Sequence, residues 1–288
     1  MTGRDVAVPP PLLWREQVAA ALREDLGFRD LTSEAVASAD ARAAARFVAR
    51  REGRIAGLFL ALEAVRQLDP ELRVAGGVEE ASDVAAGATL ARIEARARAV
   101  LAAERVALNF LGHLSGIATA TRDVVRAVGD RVRVVETRKT TPGLRLLEKY
   151  AVRAGGGRNH RYRLDDAILI KDNHIALAGG LEPALRRCRE AAGHTVRVEV
   201  EVDGLDQLEV ALAAGADVVL LDNFTVPELE EAVARNAGRA VLEASGGITP
   251  DNAARLAATG VDVLSMGWLT QSAPALDVAL DFEDSPSP

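Results

Sequence analysis

From about residue 130 onward, short apolar runs alternate with longer amphipathic stretches. Six of these runs, at 132–136, 167–171, 196–202, 217–222, 240–244 and 261–266, are rich in β-branched residues and read as parallel strands buried on both faces. Two of the intervening helices are announced by capping chemistry: Thr225 with Pro227 and Glu228, and Thr249 directly before Pro250. The pattern predicts an α/β fold containing an open βα barrel of six strands, an incomplete relative of the eight-stranded barrel. The first 115 residues are less regular, with a helix predicted at 12–26, mixed segments at 42–50 and 54–68, and a strand at 88–95. A long alanine-rich run from 96 to about 128 favours a helix, with Gly112 and Gly116 as candidate breaks.

Composition narrows the class. At 288 residues the chain is long enough for a barrel and a smaller partner domain. No run approaches the roughly 20 apolar residues that a spanning helix needs. The opening MTGRDVAVPPP lacks the apolar core of a secretory signal, so it reads as a frayed leader on a cytoplasmic protein. Cys188 is the single cysteine, which excludes an internal disulfide and a thiolate cluster. A net charge of -7 and 3% aromatics provide neither the basic surface nor the stacking rings of a nucleic-acid binder.

Against that acidic background, one window stands out. Between 138 and 163 lie Arg138, Lys139, Arg145, Lys149, Arg153, Arg158, Arg161 and Arg163 with a single acid, Glu148, which suggests a cationic pocket for a small polyanion. Every predicted strand also ends in polar or glycine residues: Thr137, Arg138 and Lys139 after the first, Lys171 to His174 after the second, and Glu201 in the third. The fourth ends in Asp222 and Asn223, the fifth in Ser245, Gly246 and Gly247, and the sixth in Gly267. An isolated polar strand end is ordinary loop solvation, whereas six in succession define one convergent site on the C-terminal rim of a barrel. The cations suit carboxylates or phosphates, and Glu201 with Asp222 suits ribose hydroxyls or magnesium. Ser245-Gly246-Gly247 before a capped helix offers backbone N–H groups to a phosphate. There is no Ser-His-Asp series, no nucleophile elbow and no histidine pair at metal spacing.

These residues, in the strings EDLG at 24–27, ERVALN at 104–109, SGIAT at 115–119, TRKTTPG at 137–143, NHR at 159–161, LDDAILIKDNH at 164–174, EVEV at 199–202, LLDNF at 220–224, EASGGI at 243–248 and SMGWLTQ at 265–271, resemble the quinolinate phosphoribosyltransferase family over nearly the whole chain. Phe28-Arg29-Asp30 departs from the second glycine more usual there. The resemblance implies an N-terminal α/β sandwich at 1–115 and a phosphoribosyltransferase barrel at 116–271, with 272–288 free to pack back on the first domain. It also implies a cytoplasmic homodimer, able to assemble further, that makes nicotinate mononucleotide from quinolinate and phosphoribosyl pyrophosphate in NAD synthesis.

By match to the family's motifs, Arg105, Arg138, His160, Arg161 and Lys171 would bind quinolinate, with Arg105 supplied across the dimer interface. Lys139, Glu201, Asp222, Ser245, Gly246, Gly247 and Gly267 would bind phosphoribosyl pyrophosphate. Lys139, Lys171, Glu201 and Asp222 would be catalytic, and Glu201 and Asp222 would address Mg2+ held largely through pyrophosphate and water. His113 and His194 read as incidental, lacking chemical neighbours; His174 reads as a pyrophosphate contact or a loop-ordering group; and Cys188 as passive packing. Three rivals are weighed: a paralogue of the molybdenum-transport type, a Schiff-base aldolase using Lys171, and a non-catalytic phosphosugar-binding protein. Retention of Arg105, Arg138, His160 and Arg161 favours the quinolinate enzyme.

Overall fold

The computed structural model describes residues 6–283; the first five residues of the predicted leader and the Ser/Pro tail at 285–288 lie outside them. In chain order the elements are α1 (Arg15–Leu26), α2 (Leu31–Val36), β1 (Arg42–Ala49), β2 (Gly53–Arg54), α3 (Leu58–Leu68), β3 (Arg73–Gly77), β4 (Asp83–Val84), β5 (Thr89–Arg96) and α4 (Ala97–Val128). There follow β6 (Arg133–Val135), α5 (Arg145–Ala154), β7 (Ile168–Ile170), α6 (Asp172–Ala178), α7 (Leu181–Ala191), β8 (Val198–Val202), α8 (Leu205–Ala213) and β9 (Val218–Asp222). The last are α9 (Val226–Asn236), β10 (Val241–Ser245), α10 (Pro250–Ala257), β11 (Val263–Ser265), α11 (Trp268–Gln271) and β12 (Val278–Phe282).

Two compact units result. One runs up to Ala120 and takes in Leu146–Gly156 and the chain from Ala273; the other comprises Thr121–Arg145 and Gly157–Ser272. In the first, an antiparallel sheet of order β12-β1-β5-β3 is closed by the return of β12 to β1, with Phe47 opposite Leu280. Gly112 and Gly116 were candidate breaks, yet α4 passes through both without interruption. Their lack of a side chain is used for packing instead. A Cβ at Gly116 would lie 2.1 Å from the Pro274 carbonyl oxygen and one at Gly112 3.0 Å from that of Leu276, so only glycine admits the returning strand at this distance.

In the second unit the six predicted strands form one parallel sheet of order β6-β11-β10-β9-β8-β7. Register places Glu201 opposite Leu220, Leu220 opposite Glu243, and Asp222 opposite Ser245, so these residues share one face. The other face carries Val134, Val198, Val200, Val219, Leu221, Leu242 and Leu264, all buried. Both faces are therefore covered at mid-strand, as the β-branched runs predicted, but the inner one also carries the buried Glu199 and Glu243. The sheet is open between its edge strands β6 and β7. Residues 158–161 span that gap: Arg158 N–H donates to the Val134 carbonyl at 2.8 Å, and Arg161 Nη1 donates to that of Ala167 at 2.9 Å. The predicted capping boxes at Thr225–Glu228 and Thr249–Asn252 both form.

Candidate active site

At the C-terminal ends of the strands, the predicted groups fall into neighbouring sets. Gly267, after β11, lies against the residues after β6: a Cβ there would come within 3.2 Å of Lys139 Cδ and 3.4 Å of Thr137 Oγ1. Thr137 Oγ1 accepts from the Lys139 N–H at 3.0 Å, and Thr270 Oγ1 donates to the Lys139 carbonyl at 2.7 Å, fixing the backbone that carries this lysine. After β7, Lys171 Nζ is hydrogen-bonded to Glu201 Oε2 on β8.

On the next strands, Asn223 Nδ2 donates to Asp222 Oδ2 at 2.8 Å. Gly246 holds φ +94°, and a Cβ there would lie 2.2 Å from Asn223 Oδ1. Gly247, also at positive φ, would meet nothing within 4 Å, so its backbone is open to a ligand. Asn252 Nδ2 donates to the Gly247 carbonyl at 3.1 Å and ties this turn to the start of α10. The strand-end set is thus an anion seat, two carboxylates and two lysines on one rim.

One layer deeper lies a second cluster. Glu199 precedes Glu201 by two residues on β8, and Glu243 precedes Ser245 by two on β10, so each points into the same interior. His160 reaches both, its Nε2 lying 3.2 Å from Glu199 Oε2 and 3.4 Å from Glu243 Oε1. All three border a cavity of about 350 Å³ that reaches the strand starts at Arg133 and Arg197. The loop carrying His160 is pinned by the fully buried Glu136, which accepts from Asn159 Nδ2 at 2.9 Å and from the His160 N–H at 3.1 Å.

Burial pulls the His160 imidazole down, and hydrogen bonds to Glu199 and Glu243 push it up further, to about 10. Burial likewise raises Glu199. Taken alone, the first shift describes an imidazolium, but the Arg161 N–H donates to Nδ1 at 2.8 Å and needs the lone pair there. A neutral ring with its proton on Nε2, and a second proton on the carboxylates, has the same total charge and satisfies that bond. The cluster's two protons belong to the set, with one on the ring.

The cations are the least satisfied groups. Arg138 Nε and Arg161 Nε are both buried without a hydrogen-bond partner. Burial, and then the neighbouring charge of Arg138, lower the pKa of Arg161. Two like charges held together with donors unspent are stabilised by an anion that takes both.

The cationic window as a whole is not one group. Lys149 and Arg153 lie on α5 in the other compact unit, where Lys149 is fully buried and Arg153 stands 6.0 Å over the Tyr150 ring. Arg105 lies on α4 in that unit too. His113 does have a chemical neighbour, its Nε2 lying 2.9 Å from Glu148 Oε1. His174 Nδ1 accepts from the Lys171 N–H at 2.9 Å and orders the turn into α6. Glu136, Glu199 and Glu243 were missed as site residues; acids inside strands that are otherwise buried were the available signal, because such groups require partners.

A parallel barrel with an anion seat after its last two strands, beside paired arginines, defines a phosphate-handling enzyme of the phosphoribosyltransferase type. Residues 30–115 match the N-terminal domain and residues 117–281 the C-terminal domain of quinolinate phosphoribosyl transferase. The chain belongs to the quinolinate phosphoribosyltransferase family. It is 46% identical to the nicotinate-nucleotide pyrophosphorylase [carboxylating] of Mycobacterium leprae, over 93% of this chain and 96% of that one. It is 43% identical to the probable enzyme of the same name from Bacillus subtilis, over 90% and 89%. The structure of the nicotinate-nucleotide pyrophosphorylase from Francisella tularensis superimposes with a TM-score of 0.92 at 37% identity, covering 98% of this chain and all of the other.

Proposed function

We propose that this protein transfers the phosphoribosyl group of phosphoribosyl pyrophosphate to quinolinate with loss of carbon dioxide, yielding nicotinate mononucleotide and pyrophosphate. The observation that carries this reading is the pair Arg138 and Arg161, half-buried neighbours whose Nε groups are buried and unpartnered. A pyridine with two adjacent carboxylates matches that demand better than a singly charged ring. Lys171 and a partner's Arg105 complete the quinolinate set, with His160 beside them. The 5′-phosphate takes the Ser245-Gly246-Gly247 turn and Gly267, and the ribose takes Glu201 and Asp222.

The ring nitrogen attacks the anomeric carbon while the bond to pyrophosphate breaks, the electron pair leaving with pyrophosphate. Positive charge grows on the ribose, and the carboxylates of Glu201 and Asp222 are placed to oppose it. Lys139 and Lys171 offer charge to the leaving group. The N-ribosylated ring is cationic, so the adjacent C–CO2 bond can break with its electron pair stabilised in the ring, to be protonated in turn. No enzymic nucleophile is needed. Glu201 and Asp222 each accept from a donor within the protein and keep oxygen lone pairs; these two would address a magnesium ion, which would supply charge to the leaving group.

A homodimer with Arg105 exchanged between subunits and a cytoplasmic location complete the proposal; among the described residues no helix is long and apolar enough to cross a membrane. The test is to mix protein, magnesium, quinolinate and phosphoribosyl pyrophosphate and to follow nicotinate mononucleotide by chromatography. Product is expected in equal amount to pyrophosphate; pyrophosphate without nucleotide would overturn the reading.

A further inference from the structure

His160 has no ring nitrogen to spare. Nδ1 accepts from the Arg161 N–H at 2.8 Å, and Nε2 faces Glu199 at 3.2 Å and Glu243 at 3.4 Å. A hydrogen bond accepted at Nδ1 places the ring proton on Nε2, where the two carboxylates are the acceptors. The arrangement therefore runs in one direction, from acids on β8 and β10, through the imidazole, to the backbone of Arg161. At its other end Arg161 is held by the Ala167 carbonyl at 2.9 Å. Its guanidinium is thus set by two anchors, one of them on the imidazole.

The three side chains also have the composition of a metal site, with their ligand atoms within 4.8 Å of one another. The Nδ1 bond argues against that use. A metal on Nε2 with an N–H still donating to Nδ1 would require a ring with no proton at all, an imidazolate.

We propose that Glu199 and Glu243 are positioning residues for dicarboxylate recognition: by accepting the His160 Nε2–H they fix the imidazole so that Nδ1 holds the Arg161 backbone and aims its guanidinium at the substrate. Resting on the functional reading above, the inference assigns His160 an action through Arg161. The two glutamates are largely buried, with side chains 10% and 6% exposed; Glu199 Oε1 has no hydrogen-bond partner, and Glu243 Oε1 has only the longer approach of His160 Nε2. Buried carboxylates left in that state are costly and persist where they hold something in place.

The test compares Glu199→Leu, Glu199→Gln, Glu243→Leu and Glu243→Gln in the full chain by kinetics, together with the ¹⁵N spectrum of histidine-labelled wild-type protein, His160 being assigned by a His160→Asn variant. The leucine variants should raise the KM for quinolinate about tenfold, with the KM for phosphoribosyl pyrophosphate within about twofold, as removal of one acceptor from a buried donor implies. Glutamine keeps a carbonyl acceptor and should restore most of the loss. The wild-type spectrum should show His160 protonated on Nε2 and unprotonated on Nδ1. A proton on Nδ1, equal effects on both substrates, or glutamine no better than leucine would overturn the proposal. Should a leucine variant fail to fold, the wild-type spectrum and the glutamine variants still decide. The spectrum needs no substrate, so a chain inactive toward quinolinate would refute the function and leave the hydrogen-bond assignment to be judged separately.

Discussion

Glu199 and Glu201 stand two residues apart on one strand and face the same interior, yet they serve different donors: Glu201 takes Lys171 Nζ at the rim, and Glu199 takes His160 Nε2 one layer below, at 3.2 Å. The alternation of a strand thus divides the site by depth. On the proposed function, the rim would handle phosphate, ribose and leaving group, and the layer beneath would hold the loop that carries Arg161.

Arg161 depends on its planar fork. Replacement by Lys keeps the charge, but the Nη1 bond to Ala167 and the spare Nε donor are lost. Quinolinate binding should weaken by roughly 1.5 to 3 kcal/mol, the range for hydrogen bonds to charged groups. Affinity for phosphoribosyl pyrophosphate should change much less. Calorimetric titration of both substrates checks this, and the reverse order would mean that Arg161 serves the phosphate side.

Gly246 tests the anion seat. At φ +94°, with a would-be Cβ 2.2 Å from Asn223 Oδ1, alanine must displace either the turn or the side chain that holds Asp222. Strain of this kind costs on the order of 1 to 3 kcal/mol. Gly246→Ala should therefore lose affinity for phosphoribosyl pyrophosphate while quinolinate binding to the free enzyme persists. Gly247→Ala, strained in φ but with open space around it, should be milder. Equal losses for the two variants would contradict the steric argument.

Much of the barrel was legible in the sequence because its physics is local. The outward residues of each strand, such as Val198, Val200, Val219 and Leu221, are apolar, while Thr225 and Thr249 sign the helix starts that follow. What escaped was non-local. Alternation places Glu199 and Glu243 on a face but cannot say that the loop at 158–161 reaches them from across the barrel gap. Gly112 and Gly116 read as helix breaks because nothing nearby announces Pro274 and Leu276, more than 150 residues on. The cationic window looked continuous since sequence order hides the departure of α5, with Lys149 and Arg153, into the other unit.

A shared site makes a distinctive prediction for Arg105. Arg105→Ala and Lys139→Ala should each be nearly inactive, yet subunit exchange should recover up to about a quarter of wild-type activity. Random mixing makes half the dimers hybrid, and each hybrid has one whole site. Mass spectrometry verifies exchange; exchange without recovery would place Arg105 in its own subunit's chemistry or outside the reaction.

The most direct measurement of the central claim is the ratio of kcat/KM for quinolinate to that for nicotinate, determined side by side with phosphoribosyl pyrophosphate saturating. Arg138 and Arg161 offer buried donors that a single carboxylate cannot fill. Leaving one charged donor unpaired should cost nicotinate about 1.5 to 3 kcal/mol, a ratio of roughly 10 to 160. A ratio near one would contradict the account, since the paired arginines would then not be reading a dicarboxylate.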